Sequence, residues 1–193
     1  MMRMIKNENC CRRLWGRKLS AVPGMATRPT TDKVKEALFN IIGPYFNGGT
    51  SLDLFAGSGG LSIEAVSRGI SQAVLVDRQY QAIKTIKKNI DVTKHVEQFK
   101  VYKMDAHKAL NLFAKDKMKF NLVFLDPPYA KQQIVNDIEQ MVKNNLLAKD
   151  AIIVAETDQN AKLPTDLADF NFIRRQEYGI TVLTIYQYEG ESK

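Results

Sequence analysis

The sequence predicts a doubly wound α/β fold whose mostly parallel sheet ends in an antiparallel hairpin. The first observation is an alternation of short apolar runs with amphipathic stretches of helical period between residues 34 and 155, the pattern of repeated βα units. The second is a change near the C-terminus, where two β-rich runs follow one another across a Tyr178-Gly179 turn. Five strands of the first kind and two of the second predict a seven-stranded, mostly parallel sheet.

The first predicted element is an amphipathic helix that begins after Pro29, with Thr30 or Thr31 as its cap. Its apolar residues recur at helical spacing up to the Gly43-Pro44 break: Val34, Ala37, Leu38, Ile41 and Ile42. The other predicted helices run to Arg68 and over residues 80–91, 107–113 and 132–144. The predicted strands cover residues 51–55, 73–77, 99–102, 120–125, 151–155, 170–174 and 181–188. Because ligands of such sheets bind beyond the carboxyl ends of the strands, polar residues there are candidate functional residues.

Length and composition fit one soluble domain with a core of its own. The chain has 193 residues, of which 45% are apolar and 25% charged, and this excludes disordered and low-complexity classes. No run of about 18 apolar residues is present, so no membrane span is predicted. Cys10 and Cys11 are adjacent and have no histidine nearby, which disfavours a disulfide or a zinc site. These features favour a reducing, cytoplasmic location and no metal.

The net charge of +7 is concentrated at the N-terminus. Residues 1–28 contain seven basic side chains and one acidic one, whereas the remaining 165 residues are nearly neutral. We therefore divide the chain into a basic N-terminal arm or hairpin over residues 1–26 and one domain over residues 27–193. A concentrated basic segment indicates a polyanionic partner, although a solvated leader fits the charge equally well.

A glycine-rich loop follows the first predicted strand, with the sequence Asp53-Leu54-Phe55-Ala56-Gly57-Ser58-Gly59. Its glycines allow a tight turn and the close approach of a ligand to the backbone. Ser62 stands where a dinucleotide fingerprint has its third glycine, and no Gly-Lys-Ser/Thr tripeptide follows, so neither that fold nor a P-loop is indicated. Asp77 ends the next strand, where a carboxylate can bind ribose hydroxyls or cap a helix. Asp105 follows the third strand and can accept from an adenine amino group or cap the next helix.

The fourth predicted strand ends in the tetrapeptide Asp126-Pro127-Pro128-Tyr129. Two prolines remove two backbone N–H donors, so the segment presents carbonyl oxygens and one carboxylate. Such a site accepts hydrogen bonds from an exocyclic amino group and orients the nitrogen lone pair for in-line attack on a methyl group. Tyr129 can stack on a flat base. A rigid surface turn with a capping aspartate is the simpler alternative for an isolated tetrapeptide of this kind.

Taken in this order, the glycine-rich loop, Asp77, Asp105 and the tetrapeptide resemble the class I S-adenosylmethionine-dependent N-methyltransferases. The sequence is closer still to the RsmD-type 16S rRNA (guanine-N2)-methyltransferases, over about residues 16–188. The segments that carry this resemblance are Gly16–Leu19, Val22–Gly24, Thr27–Glu36, Leu52–Gly69 and Tyr178–Thr181. The extreme N-terminus differs, because the family tends to have a glycine-punctuated strand pair where residues 6–15 of this chain contain no glycine.

The resemblance implies a Rossmann-like fold, S-adenosylmethionine as the methyl donor and S-adenosylhomocysteine as the product. It implies a guanine flipped out of 16S rRNA within a small-subunit particle, and we expect a monomer. The target amino group would lie at Asp126, Pro127, Pro128 and Tyr129. The cofactor would contact Thr31, Asp53, Phe55, Gly57, Ser58, Gly59, Asp77, Arg78, Asp105 and Ala106. The RNA would be bound by Arg12, Arg13, Arg17, Lys18 and Arg28.

Two other functions use the same features. Another amino-methyltransferase, acting on DNA adenine or protein glutamine, would need the same pocket. The DNA enzymes usually carry a separate target-recognition region for which this chain has no spare length, and the glutamine enzymes usually have Asn where Asp126 stands. A non-catalytic RNA-binding assembly factor is the second alternative, and the intact loop and tetrapeptide argue against it.

Overall fold

The computed structural model describes residues 19–23, 32–127 and 133–190. The helices are α1 (Asp32–Ile42), α2 (Gly60–Ser67), α3 (Tyr80–Thr93), α4 (Ala106–Lys115) and α5 (Ile134–Lys143), with a short 3₁₀ turn at Val96–Gln98. The strands are β1 (Thr50–Asp53), β2 (Gln72–Asp77), β3 (Phe99–Lys103), β4 (Phe120–Leu125), β5 (Leu147–Asp158), β6 (Phe170–Tyr178) and β7 (Thr181–Tyr188).

All seven strands join one sheet in the order β3-β2-β1-β4-β5-β7-β6. The strands from β3 to β5 pair in parallel, and β7 pairs antiparallel with both β5 and β6. The predicted fold class is therefore confirmed, including the antiparallel C-terminal hairpin. The strand order reverses between β1 and β4, and the carboxyl ends of these two strands form the crevice where such sheets bind ligands.

Helices cover both faces of the sheet and divide the core into two apolar layers. One layer packs α4 and α5 against alternate residues of the central strands, such as Leu52, Val123 and Leu125. The other layer packs α1, α2 and α3 against the intervening residues, such as Phe124 and Val154. Because successive strand residues point to opposite faces of the sheet, residues that are two positions apart in one strand face the same layer.

The main boundary differences concern β5 and β6, both longer than the predicted strands. β5 begins at Leu147, which pairs with Phe120, and the ladder then shifts register before Leu122 pairs with Ile152. Asp150 lies inside this stretch with a φ of 60°, a conformation more typical of turns than of strands. The polar residues Lys149 and Asp150 give the sequence there the composition of a loop. β6 continues to Tyr178 because β7 pairs with its whole length. None of the helices in the described ranges is long and apolar enough to cross a membrane.

Candidate active site

Four carboxyl groups stand side by side at the carboxyl edge of the sheet. Asp77 is the last residue of β2 and Asp53 the last of β1, Asp126 follows the last residue of β4, and Glu156 lies near the end of β5. In the sheet these strands are neighbours in the order β2-β1-β4-β5. The fold therefore brings together acids that are up to 103 positions apart in the sequence.

Two of these acids face the α1–α3 side of the sheet. The Ser62 hydroxyl of α2 donates to Asp53 Oδ2 over 3.1 Å, which orients that carboxyl toward α2. Glu156 is two residues beyond Val154, which belongs to the same apolar layer, so strand alternation turns Glu156 to the same side. Both are nearly inaccessible, with 3% of Asp53 and 4% of Glu156 exposed.

The glycine-rich loop crosses from β1 toward β2 at the Asp77 end of this row, where the Ala56 N–H donates to the Val76 carbonyl oxygen over 2.9 Å. Gly57 and Gly59 have φ values of 53° and 79°, conformations that glycine adopts without strain. A Cβ atom on Gly59 would lie 3.1 Å from the Leu75 side chain, whereas the only atom of the described residues within 4 Å of one on Gly57 is the Phe55 carbonyl oxygen, at 4.0 Å. The backbone at Gly57 is therefore open to a ligand, and the chain at Gly59 packs closely on β2.

Asp77 connects the loop to the start of α3. Its Oδ2 accepts from the Gly57 N–H over 3.0 Å, and its Oδ1 accepts from the Gln79 N–H over 2.8 Å. The N-cap position of α3 is Gln79, so Asp77 does not occupy the cap position itself. Each carboxylate oxygen has a second lone pair, so Asp77 can still accept hydrogen bonds from a diol.

In this structure Asp105 caps a helix, which is the simpler of its two predicted roles. It is the N-cap of α4, and its Oδ1 accepts from the His107 N–H over 3.0 Å. The side chain is exposed at the same edge of the sheet, beside the half-buried Ala106. A contact with adenine stays a prediction for both residues.

Burial and mutual repulsion raise the pKa values of the central acids. Burial first, and then the charges of Glu156 and Asp53, raise the pKa of Asp126 well above its ordinary value. Burial raises the pKa of Asp53 to about 7, despite the hydrogen bond from Ser62, and the charge of Asp77 adds to the rise. Burial also raises the pKa of Asp77. The crevice therefore favours ligands that bring positive charge or N–H and O–H donors.

Two residues of this region were not among the sequence-predicted site residues. Glu156 is the first, and its signal was the same as that of Asp126: an acid directly after a buried apolar run. Asn89 of α3 is the second, because its Nδ2 donates to the carbonyl oxygens of Ser58 and Ser20 over 2.9 and 3.0 Å. Asn89 Oδ1 also accepts from the Ser20 N–H over 2.8 Å. An asparagine inside a helix gives no sequence signal for such a long-range bridge.

The remaining predicted residues are only partly within the described ranges. Phe55 and Ser58 are half-buried in the loop, Pro127 is buried beyond β4, and Arg78 is exposed beside Asp77. The other predicted contacts lie outside the described residues: Arg12, Arg13, Arg17, Lys18, Arg28, Thr31, Pro128 and Tyr129. Among the described residues, no group of three or more His, Cys, Asp or Glu side chains is arranged to hold a metal ion.

The chain is similar to several bacterial proteins. It is 48% identical to the Bacillus subtilis protein YlbH over 178 residues, which cover 91% of this chain and 95% of that protein. It is 32% identical to the Escherichia coli ribosomal RNA small subunit methyltransferase D over 178 residues, which cover 92% and 88% of the two chains. The structure superposes on a conserved hypothetical protein of Streptococcus pyogenes with a TM-score of 0.77 and 48% identity, over 83% of this chain and 98% of that one.

A more distant comparison bears on the fold alone. An RNA methyltransferase from Salinibacter ruber, solved in complex with S-adenosyl-L-homocysteine, has a TM-score of 0.63 and 16% identity, over 86% of this chain and 97% of that one.

The sequence model of the family described as Conserved hypothetical protein 95 matches residues 13–187, nearly the whole chain. The chain therefore belongs to that family, the RsmD family that its sequence resembles.

Proposed function

We propose that this protein transfers a methyl group from S-adenosylmethionine to the exocyclic N2 of a guanine in small-subunit rRNA. The observation that carries the proposal is the row of Asp77, Asp53, Asp126 and Glu156 at one edge of the sheet, with the glycine-rich loop at its β1–β2 end. A row of hydrogen-bond acceptors around an open backbone suits a cationic nucleoside cofactor on one side and an amino group on the other. The family relative from Escherichia coli is named for methylation of small-subunit rRNA.

The residues present fit the cofactor at the β1 and β2 side of the row. The open backbone at Gly57 and the carboxylate of Asp77 suit a ribose, and the buried Asp53 suits a nearby positive charge. When bound, S-adenosylmethionine supplies an electrophilic methyl group on a sulfonium. Asn89 contributes indirectly, because its bond to the Ser58 carbonyl holds the loop against α3. Thr31, outside the described residues, remains a proposed contact.

Asp126 is the proposed catalytic residue, and it acts on the target amino group. Its carboxyl accepts one N–H of the guanine amino group, which directs the nitrogen lone pair toward the methyl group. Transfer of the methyl group from the sulfonium to the amino nitrogen would leave an extra proton on that nitrogen, which Asp126 or water would accept. The raised pKa of Asp126 makes it a better proton acceptor than an ordinary carboxylate. Buried Pro127, which has no N–H to donate, keeps a competing donor away from this carboxyl.

Methyl transfer to unmodified RNA tests this proposal. The acceptors are small-subunit particles that lack the modification, naked rRNA, duplex DNA and total protein, each with labelled S-adenosylmethionine. We expect label in rRNA, recovered as N2-methylguanosine. Asp126→Ala should lose at least about 100-fold in kcat with nearly unchanged cofactor affinity, whereas Asp116→Ala, an exposed control at the end of α4, should keep full activity. Label in DNA or protein alone would overturn the substrate, and an active Asp126→Ala would remove Asp126 from its role.

RNA binding is proposed to depend on the basic N-terminal arm. Deleting residues 1–15 removes Arg3, Lys6, Arg12 and Arg13, so fewer counterions should be released on binding. We expect weaker RNA binding and a flatter dependence of the binding constant on salt, measured by filter binding across a salt series. An unchanged slope would show that the arm does not contact phosphates.

A further inference from the structure

Glu156 lies beside Asp126 on the next strand of the sheet. β4 and β5 pair in parallel with Leu125 opposite Ala155, so the next positions along the two chains are Asp126 and Glu156. The side chain is 4% exposed, and its antiparallel partner on β7, Leu183, is 1% exposed. Glu156 is thus a buried acid on the far side of Asp126 from the proposed cofactor residues.

Glu156 lies on a face of the sheet whose nearest strand neighbours are apolar. Val154 on the same strand and Leu183 on β7 are buried in the α1–α3 layer, whereas Ala155 points to the opposite layer. The charge of Glu156 also acts on Asp126, since it contributes to the raised pKa of that carboxyl. Neighbouring buried acids that perturb one another's pKa values are typical of functional sites.

The Watson–Crick edge of guanine fits two adjacent carboxyl groups. Guanine presents two neighbouring donors there, the N1–H and the N2 amino group. Adenine presents a lone pair at N1, which would face a carboxylate with no hydrogen to share. A buried acceptor that loses its donor carries its full desolvation cost, and this gives stronger discrimination than a difference in shape.

We propose that Glu156 is a specificity-determining residue that accepts the N1–H of the target guanine while Asp126 accepts its N2 amino group. This inference rests on the proposed function and assigns the purine selectivity of the same pocket to a residue outside the Asp126–Tyr129 segment. The pocket admits purines that carry both a 2-amino group and an N1–H, and it rejects adenine by repulsion at N1.

The test compares guanine with 2-aminopurine at the target position, which the methyl-transfer experiment maps first. 2-Aminopurine keeps the amino group but has a lone pair at N1. Both bases are placed in ligated rRNA assembled into small-subunit particles, and kcat/KM is measured for wild type, Glu156→Gln and Glu156→Asp. Glu177→Gln, an exposed glutamate in β6, is the matched control. Cofactor affinity and thermal unfolding are measured for every variant.

We expect wild type to prefer guanine by at least about 100-fold. The Gln amide can donate to N1 of 2-aminopurine, so Glu156→Gln should reduce that preference at least about tenfold. Glu156→Asp keeps the charge and should keep the preference at a lower rate, and Glu177→Gln should behave as wild type. The 6-oxygen that 2-aminopurine also lacks affects all variants alike, so the change in preference isolates the N1 contact.

Three outcomes would overturn the inference. The first is a Glu156→Gln variant with the wild-type preference. The second is a large loss of cofactor affinity with that preference intact, which would place Glu156 at the cofactor. The third is a Glu156→Asp variant that loses the preference although it unfolds at the wild-type temperature. Failure of the proposed function looks different, since wild type itself would then leave no N2-methylguanosine in the particles.

Discussion

Replacing Asp53 with Asn should stabilise the free protein at neutral and alkaline pH. Asp53 is buried at the end of β1, and its pKa is raised to about 7 from the ordinary 3.8. Asn has nearly the same shape, and its amide oxygen can still accept from the Ser62 hydroxyl, which donates to Asp53 Oδ2 over 3.1 Å. The substitution therefore removes the charge and keeps the shape and the Ser62 hydrogen bond. The Phe55 backbone hydrogen bond to the carboxyl is lost at every pH, so it does not contribute to the pH dependence of the difference.

The sign and size of the effect follow from proton linkage. Below about pH 4 the Asp53 carboxyl is protonated in both the folded and the unfolded chain, so its contribution is constant. Between that pH and about 7 the unfolded chain releases the proton while the folded chain retains it, and stability falls as the pH rises. Each pH unit in this window costs about 1.36 kcal/mol. The whole window thus costs about 4 kcal/mol, of which about 3 kcal/mol falls between about pH 5 and pH 8.

Urea unfolding at a series of pH values measures this directly. The free energy of unfolding of Asp53→Asn minus that of wild type should grow by about 3 kcal/mol from about pH 5 to pH 8. Part of the growth comes through Asp126, because the charge of Asp53 helps to raise its pKa. Asp116→Asn, an exposed control, should show no such growth. If the difference in unfolding free energy stays constant or shrinks across this pH range, the pKa of the buried Asp53 carboxyl is not raised and the reasoning is refuted.

Two further predictions concern the scaffold around the site. Gly69→Ala should cost about 2 kcal/mol or more in urea unfolding, because the new Cβ would lie 2.2 Å from the Phe46 carbonyl oxygen at a φ of +112°. Gly179→Ala, with a positive φ but no atom of the described residues within 4 Å of the new Cβ, should cost about 1 kcal/mol, and equal losses would mean that the chain at Gly69 shifts easily. The Gln140 side chain, 2.8 Å from His107 Nδ1, is the main cause of the raised pKa of His107. Gln140→Leu should therefore lower that pKa in an NMR titration, and an unchanged value would contradict the contact.

The parts of the site that the sequence predicted are those with local signals. A buried apolar run that stops at an acid marks the carboxyl end of a parallel strand, and this rule located Asp77 and Asp126 from the sequence. Asp53 was found with the glycine-rich loop that it precedes, because the predicted strand ran on to residue 55, whereas β1 ends at Asp53. The glycine-rich loop was equally readable, because a positive φ at Gly57 and Gly59 requires the residue type that is present. The grouping of these acids at one edge of the sheet then follows, since the carboxyl ends of parallel strands lie at the same edge.

The parts that the sequence did not predict depend on pairing between distant segments. Glu156 obeys the same rule as Asp126, but its importance becomes visible only when β4 and β5 pair and bring the two acids side by side. The same limit applies to Asn89, whose partners are 31 and 69 positions away. For Asp105 the sequence left two roles open, and the cap of α4 is the one that local backbone geometry determines.

The row of acids connects the stability of the fold with its chemistry. Apolar side chains at these strand ends would extend the core, yet the fold places Asp53, Asp126 and Glu156 on adjacent strands, where each charge opposes the next. An arrangement that weakens the free protein as pH rises is understandable if ligands supply further hydrogen-bond donors and positive charge. In the proposed function, a cationic cofactor would relieve the repulsion at Asp53, and the donor edge of a guanine would relieve it at Asp126 and Glu156. The same repulsion that lowers stability would then raise selectivity, because a base without those donors would leave the charges opposed.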